Sequence, residues 1–120
     1  MTAEDKELLV EAGMNVDDAL SRFMGNEAIL DRLLKKLLDD TTMITLKKAI
    51  EANDVEAAFT ASHTLKGVAA NFSLTALQNA ASMQCEDFRS KDFEAGASKL
   101  PEVLDEYEKI YSVIKKIYGE

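Results

Sequence analysis

The sequence predicts an all-α fold: an antiparallel four-helix bundle with short additional helices at its N-terminal end. Three observations carry this expectation. Apolar residues recur at threes and fours along most of the chain, the spacing that gives a helix one buried face. β-branched and aromatic residues never alternate over a long run, so no strand pattern emerges. One proline and five glycines in 120 residues leave few interruptions. A chain of this length with 47% hydrophobic residues is large enough for its own core. We expect one domain over 1–120, with 1–25 forming N-terminal cap helices and 26–118 the bundle.

Thr2 to Ala12 form a short acidic amphipathic segment with Leu8, Leu9 and Ala12 as its apolar positions. Thr2 and Asp5 make an N-cap pair, and Gly13 stops the helix. Asn15 caps a second segment, where Asp17 and Asp18 favour the positive end of the helix dipole. Val16, Ala19, Leu20 and Phe23 form its stripe, and Gly25 ends it. Asn26 caps the next helix. Ile29, Leu30, Leu33, Leu34, Leu37 and Leu38 follow at helical spacing, and Met43, Leu46, Ala49 and Ile50 resume it. Thr41 and Thr42 weaken this run without ending it, so one helix of about 25 residues is expected.

Asn53-Asp54 supplies the next turn and caps a helix running to Ala70 or Asn71. Ser73 or Thr75 caps a further helix through Leu77, Ala80, Ala81, Gln84 and Phe88, closed by Ser90-Lys91-Asp92. The last helix carries Leu100, Val103, Leu104, Tyr107, Ile110, Tyr111, Ile114, Ile117 and Tyr118. Phe93, Ala97 and Leu100 share a face, so Pro101 is expected to kink one longer helix beginning near Phe93. Four long amphipathic helices with short joints pack as an antiparallel bundle.

A further feature of the sequence is chemical. His63 is the only histidine. At about 100° per residue, Val55, Ala58, Ser62, Leu65 and Ala69 cluster on one side of the helix, and His63 lies roughly 130° from the middle of that stripe. Lys66 and Gly67 sit beside it on the next turn. Gly67 is in the interior of a helical run, where Gly costs about 1 kcal/mol relative to Ala. A helix that tolerates this cost usually needs close approach by another molecule. Glu56, Phe59 and Ala70 share the same outward side, and a half-exposed Phe59 suggests docking. Arg89 comes near this face if the two central helices pair.

Other chemistries find little support. The net charge of −8 argues against a nucleic-acid partner and an anionic membrane surface. No run of about 20 apolar residues exists to span a bilayer. The acidic N-terminus is no secretion signal, and the single Cys85 cannot form an internal disulfide, so a cytoplasmic setting is expected. One His and one Cys nearly exclude the usual zinc sites within a monomer. No Gly-rich loop follows a strand. Ser62 lies on the buried face and Cys85 on another helix, so neither is placed to use His63 as a base. What remains is the imidazole itself. A neutral imidazole, whose reference pKa is about 6.5, offers a ring nitrogen that can attack a phosphoryl group held in line by another protein. Lys66 can offset phosphoryl charge, and Gly67 leaves room for the donor's backbone.

His63-Thr64-Leu65-Lys66-Gly67-Val68-Ala69-Ala70-Asn71-Phe72 resembles the signature of histidine-containing phosphotransfer domains, His-x-Leu-Lys-Gly followed by small residues. Gly13 to Asn26 also resembles the segment that precedes the family's long second helix. The resemblance runs from about residue 13 to the end. It implies a four-helix bundle without kinase or phosphatase activity, which takes a phosphoryl group on His from a receiver-domain aspartate and passes it to another receiver. It assigns His63 as phosphoacceptor, Lys66 as electrostatic support and Gly67 as clearance for the receiver. It implies no cofactor in this chain, with magnesium on the receiver only. Its partners are response-regulator receiver domains, including that of a hybrid sensor histidine kinase, and a monomer is expected. Many members carry Gly ten residues after the His, where this chain has Ser73. The competing reading is a helical-bundle regulator that binds a partner with His63 unused.

Overall fold

A computed structural model describes residues 1–119 and is all-helical among them. Eight helices follow in order: α1 (Ala3–Glu11), α2 (Val16–Arg22), α3 (Glu27–Leu37), α4 (Thr42–Glu51), α5 (Val55–Asn71), α6 (Thr75–Arg89), α7 (Phe93–Ser98) and α8 (Leu100–Tyr118). Short side chains start several of them. Thr2 and Asp5 form a reciprocal capping box on α1. The Asn15, Asn26 and Asp54 side chains accept from the backbone N–H three residues on, at 3.1, 3.1 and 3.0 Å, starting α2, α3 and α5.

The four legs of the bundle are α3 with α4, α5, α6, and α8 led in by α7. The α5–α6 hairpin is its most extensive pairing; α4 packs on α5, α8 on α6, and α3 closes against α8. Tyr118 Oη donates to Asp31 Oδ1 at 2.5 Å, and Tyr111 Oη donates to the Leu38 carbonyl at 3.3 Å. The later residue of α8 thus meets the earlier residue of the α3 leg, so these two run antiparallel. The buried stripes supply the core: Leu30 and Leu34, Leu46, Ala58 and Leu65, Ala81 and Phe88, Val103 and Ile114. Each fully buried leucine or isoleucine contributes about 1.5–3 kcal/mol by leaving water. α1 packs on α8, and α2 on α3.

Three expectations need correction. The single long helix from Asn26 breaks at 38–41. Continued as one helix, its buried Leu30 and Leu34 would lie about 140° around the axis from its buried Met43, Leu46 and Ala49, so both stripes cannot face the core. The chain resolves this with tight turns, Asp39 and Asp40 N–H donating to the Lys36 and Leu37 carbonyls. Asp40 Oδ1 then accepts from Thr42 N–H at 2.8 Å and starts α4. At the other end, the kinked helix is two helices meeting at Lys99. Pro101 has no N–H for the Ala97 carbonyl, and Lys99 N–H turns back to the Gly96 carbonyl at 3.2 Å.

The third correction concerns Ser73, which does not cap α6; the N-cap is Leu74, without a side-chain bond. Thr75 Oγ1 instead donates to the Ser73 carbonyl. Ser73 has φ +53°, the left-handed region that favours glycine. Its buried hydroxyl offsets the conformational cost by donating to Asp18 Oδ2 at 2.5 Å, while Asn15 N–H donates to the Ser73 carbonyl at 2.8 Å. The joint between α5 and α6 is thereby clasped to the start of α2. The Ser73 hydroxyl, and after it the Arg22 guanidinium, hold the Asp18 carboxyl below its usual value. Ser73→Ala keeps the left-handed backbone and loses the bond, so thermal unfolding at neutral pH should show a lower midpoint than the parent. Because Asp18 titrates lower in the folded state, the bond's contribution is present above about pH 3.8 and fades as pH falls through the folded value. Parent and variant should therefore converge in strong acid.

Candidate phosphoryl-acceptor site on α5

The predicted stripe of α5 is inward: Ala58, Ser62, Leu65 and Ala69 are buried, and Val55 is half-buried. Ala61 is buried beside them. His63 and Thr64 are therefore turned outward, and His63 is exposed. Ser62 is fully buried and its hydroxyl donates back to the Phe59 carbonyl at 3.0 Å, so it offers no nucleophile to solvent. Cys85 is buried on α6.

The other proposed residues extend along the same side of α5. Glu56 and Gly67 are exposed; Phe59, Lys66 and Ala70 are half-buried. From Glu56 to Ala70 the patch covers about 21 Å of helix at 1.5 Å per residue. The Phe59 and His63 rings, one turn apart, stack with centroids 5.9 Å apart and 26° between planes. Glu56 and Phe59 also line a surface groove with Thr60, Phe88, Arg89 and Lys91. Lys66 forms no salt bridge among the described residues; the ion pairs engage Met1, Lys6, Arg22, Arg89, Lys99 and Lys109.

Gly67 is unlike the chain's other glycines. A Cβ on Gly13 would lie 2.7 Å from Ala76 Cβ, and one on Gly96 would lie 2.7 Å from Phe88 Cζ. Gly25 has φ +75°, and a Cβ on Gly119 would lie 2.8 Å from the Lys115 carbonyl oxygen. Gly67 is in regular helix, and a Cβ there would meet nothing within 4 Å. Nothing inside the described molecule requires glycine at this position.

Arg89 joins the site from α6. Its Cζ lies 5.1 Å from the Phe59 ring centroid, and its Nε donates to Glu86 Oε1 at 3.0 Å. The signal for this was in the hairpin: Phe59 and Arg89 each lie fifteen residues from Leu74 (74 − 59 and 89 − 74), so an antiparallel α5–α6 pair brings them level. No group of three or more His, Cys, Asp or Glu side chains that could hold a metal occurs among the described residues. No helix among the described residues is long and apolar enough to cross a membrane.

The fold and the site thus present an outward imidazole on a bundle helix, with a lysine and a glycine on the next turn and open space at the glycine. The chain belongs to the Hpt domain family, whose model matches residues 24–112. Domains of this family carry out histidine-based phosphotransfer in two-component signalling and interact with receiver domains and histidine kinases. No curated protein and no solved structure matches the chain.

Proposed function

We propose that this protein is a phosphorelay intermediate in which His63 accepts a phosphoryl group from a receiver-domain aspartate and passes it to the aspartate of another receiver. The observation that carries the reading is that an Hpt domain with a single histidine has that histidine exposed on α5. A lone pair on one imidazole nitrogen attacks phosphorus, the N–P bond forms, and the P–O bond to the aspartyl carboxylate breaks. The carboxylate leaves with the electron pair, and the ring takes up positive charge at its N–H nitrogen. The reverse displacement loads the next receiver. Little covalent chemistry is asked of the acceptor beyond position and charge.

In this reading Lys66 faces the phosphoryl oxygens and offsets their charge. Gly67 admits the receiver's backbone, and Glu56, Phe59 and Ala70 contribute to the docking face. The chain acts as a cytoplasmic monomer without kinase or phosphatase activity and without a cofactor of its own, magnesium belonging to the receiver. Residues 1–25 cap one end of the bundle within a single functional unit. A hybrid sensor histidine kinase is a fitting donor.

Incubation with a receiver domain carrying labelled phosphate tests this. Label should move to the protein, be lost in acid and survive base, as a phosphoramidate linkage does and an acyl phosphate does not. Absence of transfer, or a label stable in acid, would overturn the proposal.

A further inference from the structure

We propose that Phe59 is a positioning residue: it fixes the orientation of the His63 imidazole, and Arg89 holds Phe59 in place from the neighbouring helix. The inference deepens the proposed role of His63 and rests on it. An exposed side chain on a helix otherwise samples several staggered rotamers. The side-chain hydrogen bonds of α5 among the described residues are those of Ser62 and Thr64, and none reaches the imidazole. Its aromatic partner is Phe59, at 5.9 Å between centroids and 26° between planes. Phe59 is in turn half-buried and covered by the Arg89 guanidinium at 5.1 Å, which Glu86 tethers through its Nε at 3.0 Å. A chain of contacts, Glu86 to Arg89 to Phe59 to His63, thus runs from α6 to the reacting ring.

The chemistry gives this a use. In-line displacement needs the attacking lone pair aligned with the breaking P–O bond, and a ring already held near that alignment loses less freedom on reacting. A ring stacked on Phe59 is hindered from turning about its bond to the helix, yet its outer edge stays open to solvent. Phe59 touches neither phosphorus nor the leaving group in this scheme.

The test uses the full chain and phosphoramidate, a small phosphodonor with no docking surface of its own. Two readings are taken on the parent, Phe59→Leu, Phe59→Tyr and Arg89→Met: the ring-current shifts of the His63 ring protons by NMR, and the rate of His63 phosphorylation. Phe59→Leu keeps an apolar side chain in the half-buried position but loses the aromatic face. It should abolish the ring-current shift and slow phosphorylation about two- to tenfold, the range a stacked pair supplies. Phe59→Tyr should restore both, and Arg89→Met should fall between. Unchanged shifts or an unchanged rate in Phe59→Leu would overturn the positioning role, as would a defect that Tyr fails to repair. A rate unchanged with phosphoramidate but reduced with a phosphorylated receiver would also overturn it, assigning Phe59 to docking alone. Should the parent take up no phosphoryl group at all, the acceptor reading itself fails, whereas a parent that is phosphorylated while Phe59→Leu leaves shift or rate unchanged sinks the positioning role alone.

Discussion

His63→Gln should take no phosphoryl group from a phosphorylated receiver, while it folds as the parent does and binds the receiver with unchanged affinity. Glutamine has similar reach and polarity but no nucleophilic ring nitrogen. The position is exposed, and surface substitutions of this kind usually change stability by no more than about 0.5 kcal/mol. Loss of the stack on Phe59 costs about 0.5–1.5 kcal/mol more, a lower stability that still leaves the native state dominant against a total of about 5–15 kcal/mol. The variant therefore separates two readings of the same bundle. A relay intermediate loses all transfer and all downstream signalling. A regulator that only binds its partner retains both its affinity and its signalling output. Label uptake and signalling output distinguish them, with calorimetric titration against the same receiver showing that binding survives in the variant. Parental levels of label on the Gln variant would show that the imidazole is not the acceptor.

The second large effect is expected at Gly67, where stability and function should move in opposite directions. Alanine is favoured over glycine in a helix interior by about 1 kcal/mol, and no neighbouring atom opposes a Cβ. Gly67→Ala should accordingly raise the unfolding temperature by about 4 °C. A larger side chain occupies the space in which the receiver is proposed to approach. Gly67→Leu should stay folded, and should still react with phosphoramidate. Transfer from a phosphorylated receiver should fall tenfold or more, a barrier of about 1.4 kcal/mol or above. Parental receiver transfer in the Leu variant would remove Gly67 from the contact face. The contrast with Gly96 is instructive: there an added methyl meets the Phe88 ring, and the loss would be one of folding.

Local chemistry was the readable part of this chain. Thr2, Asn15, Asn26 and Asp54 cap helices as their side chains suggest, because an N-cap needs only its own residue and the next turn. The stripes of α5, α6 and α8 are also where spacing puts them, since burial of one face dominates each long helix. The break at 38–41 was harder to see. Four poor helix formers, Asp39 to Thr42, did not outweigh the apolar spacing on either side; the decisive fact is the change of phase between Leu34 and Met43, which appears only when both stripes must face one core. Ser73 was misjudged because a capping side chain and a left-handed backbone compete at one residue, and its partner Asp18 is 55 positions away. At the site, the outward set around His63 followed from helical geometry. The Phe59–His63 stack is an i, i+4 pair within α5, whereas the Arg89 contact with Phe59 depends on how α5 meets α6, a tertiary relation that only the hairpin's symmetry about Leu74 hints at.

Locating the phosphoryl group itself tests the role of His63 most directly. After transfer from a labelled receiver, the protein is digested under alkaline conditions, which preserve a phosphorus–nitrogen bond, and the peptides are sequenced by mass spectrometry. One modified peptide is expected, spanning α5, with the added mass on His63. Phosphate found on any serine or threonine with His63 unmodified would contradict it, as would complete loss of the label in alkali, the behaviour of an acyl phosphate on aspartate.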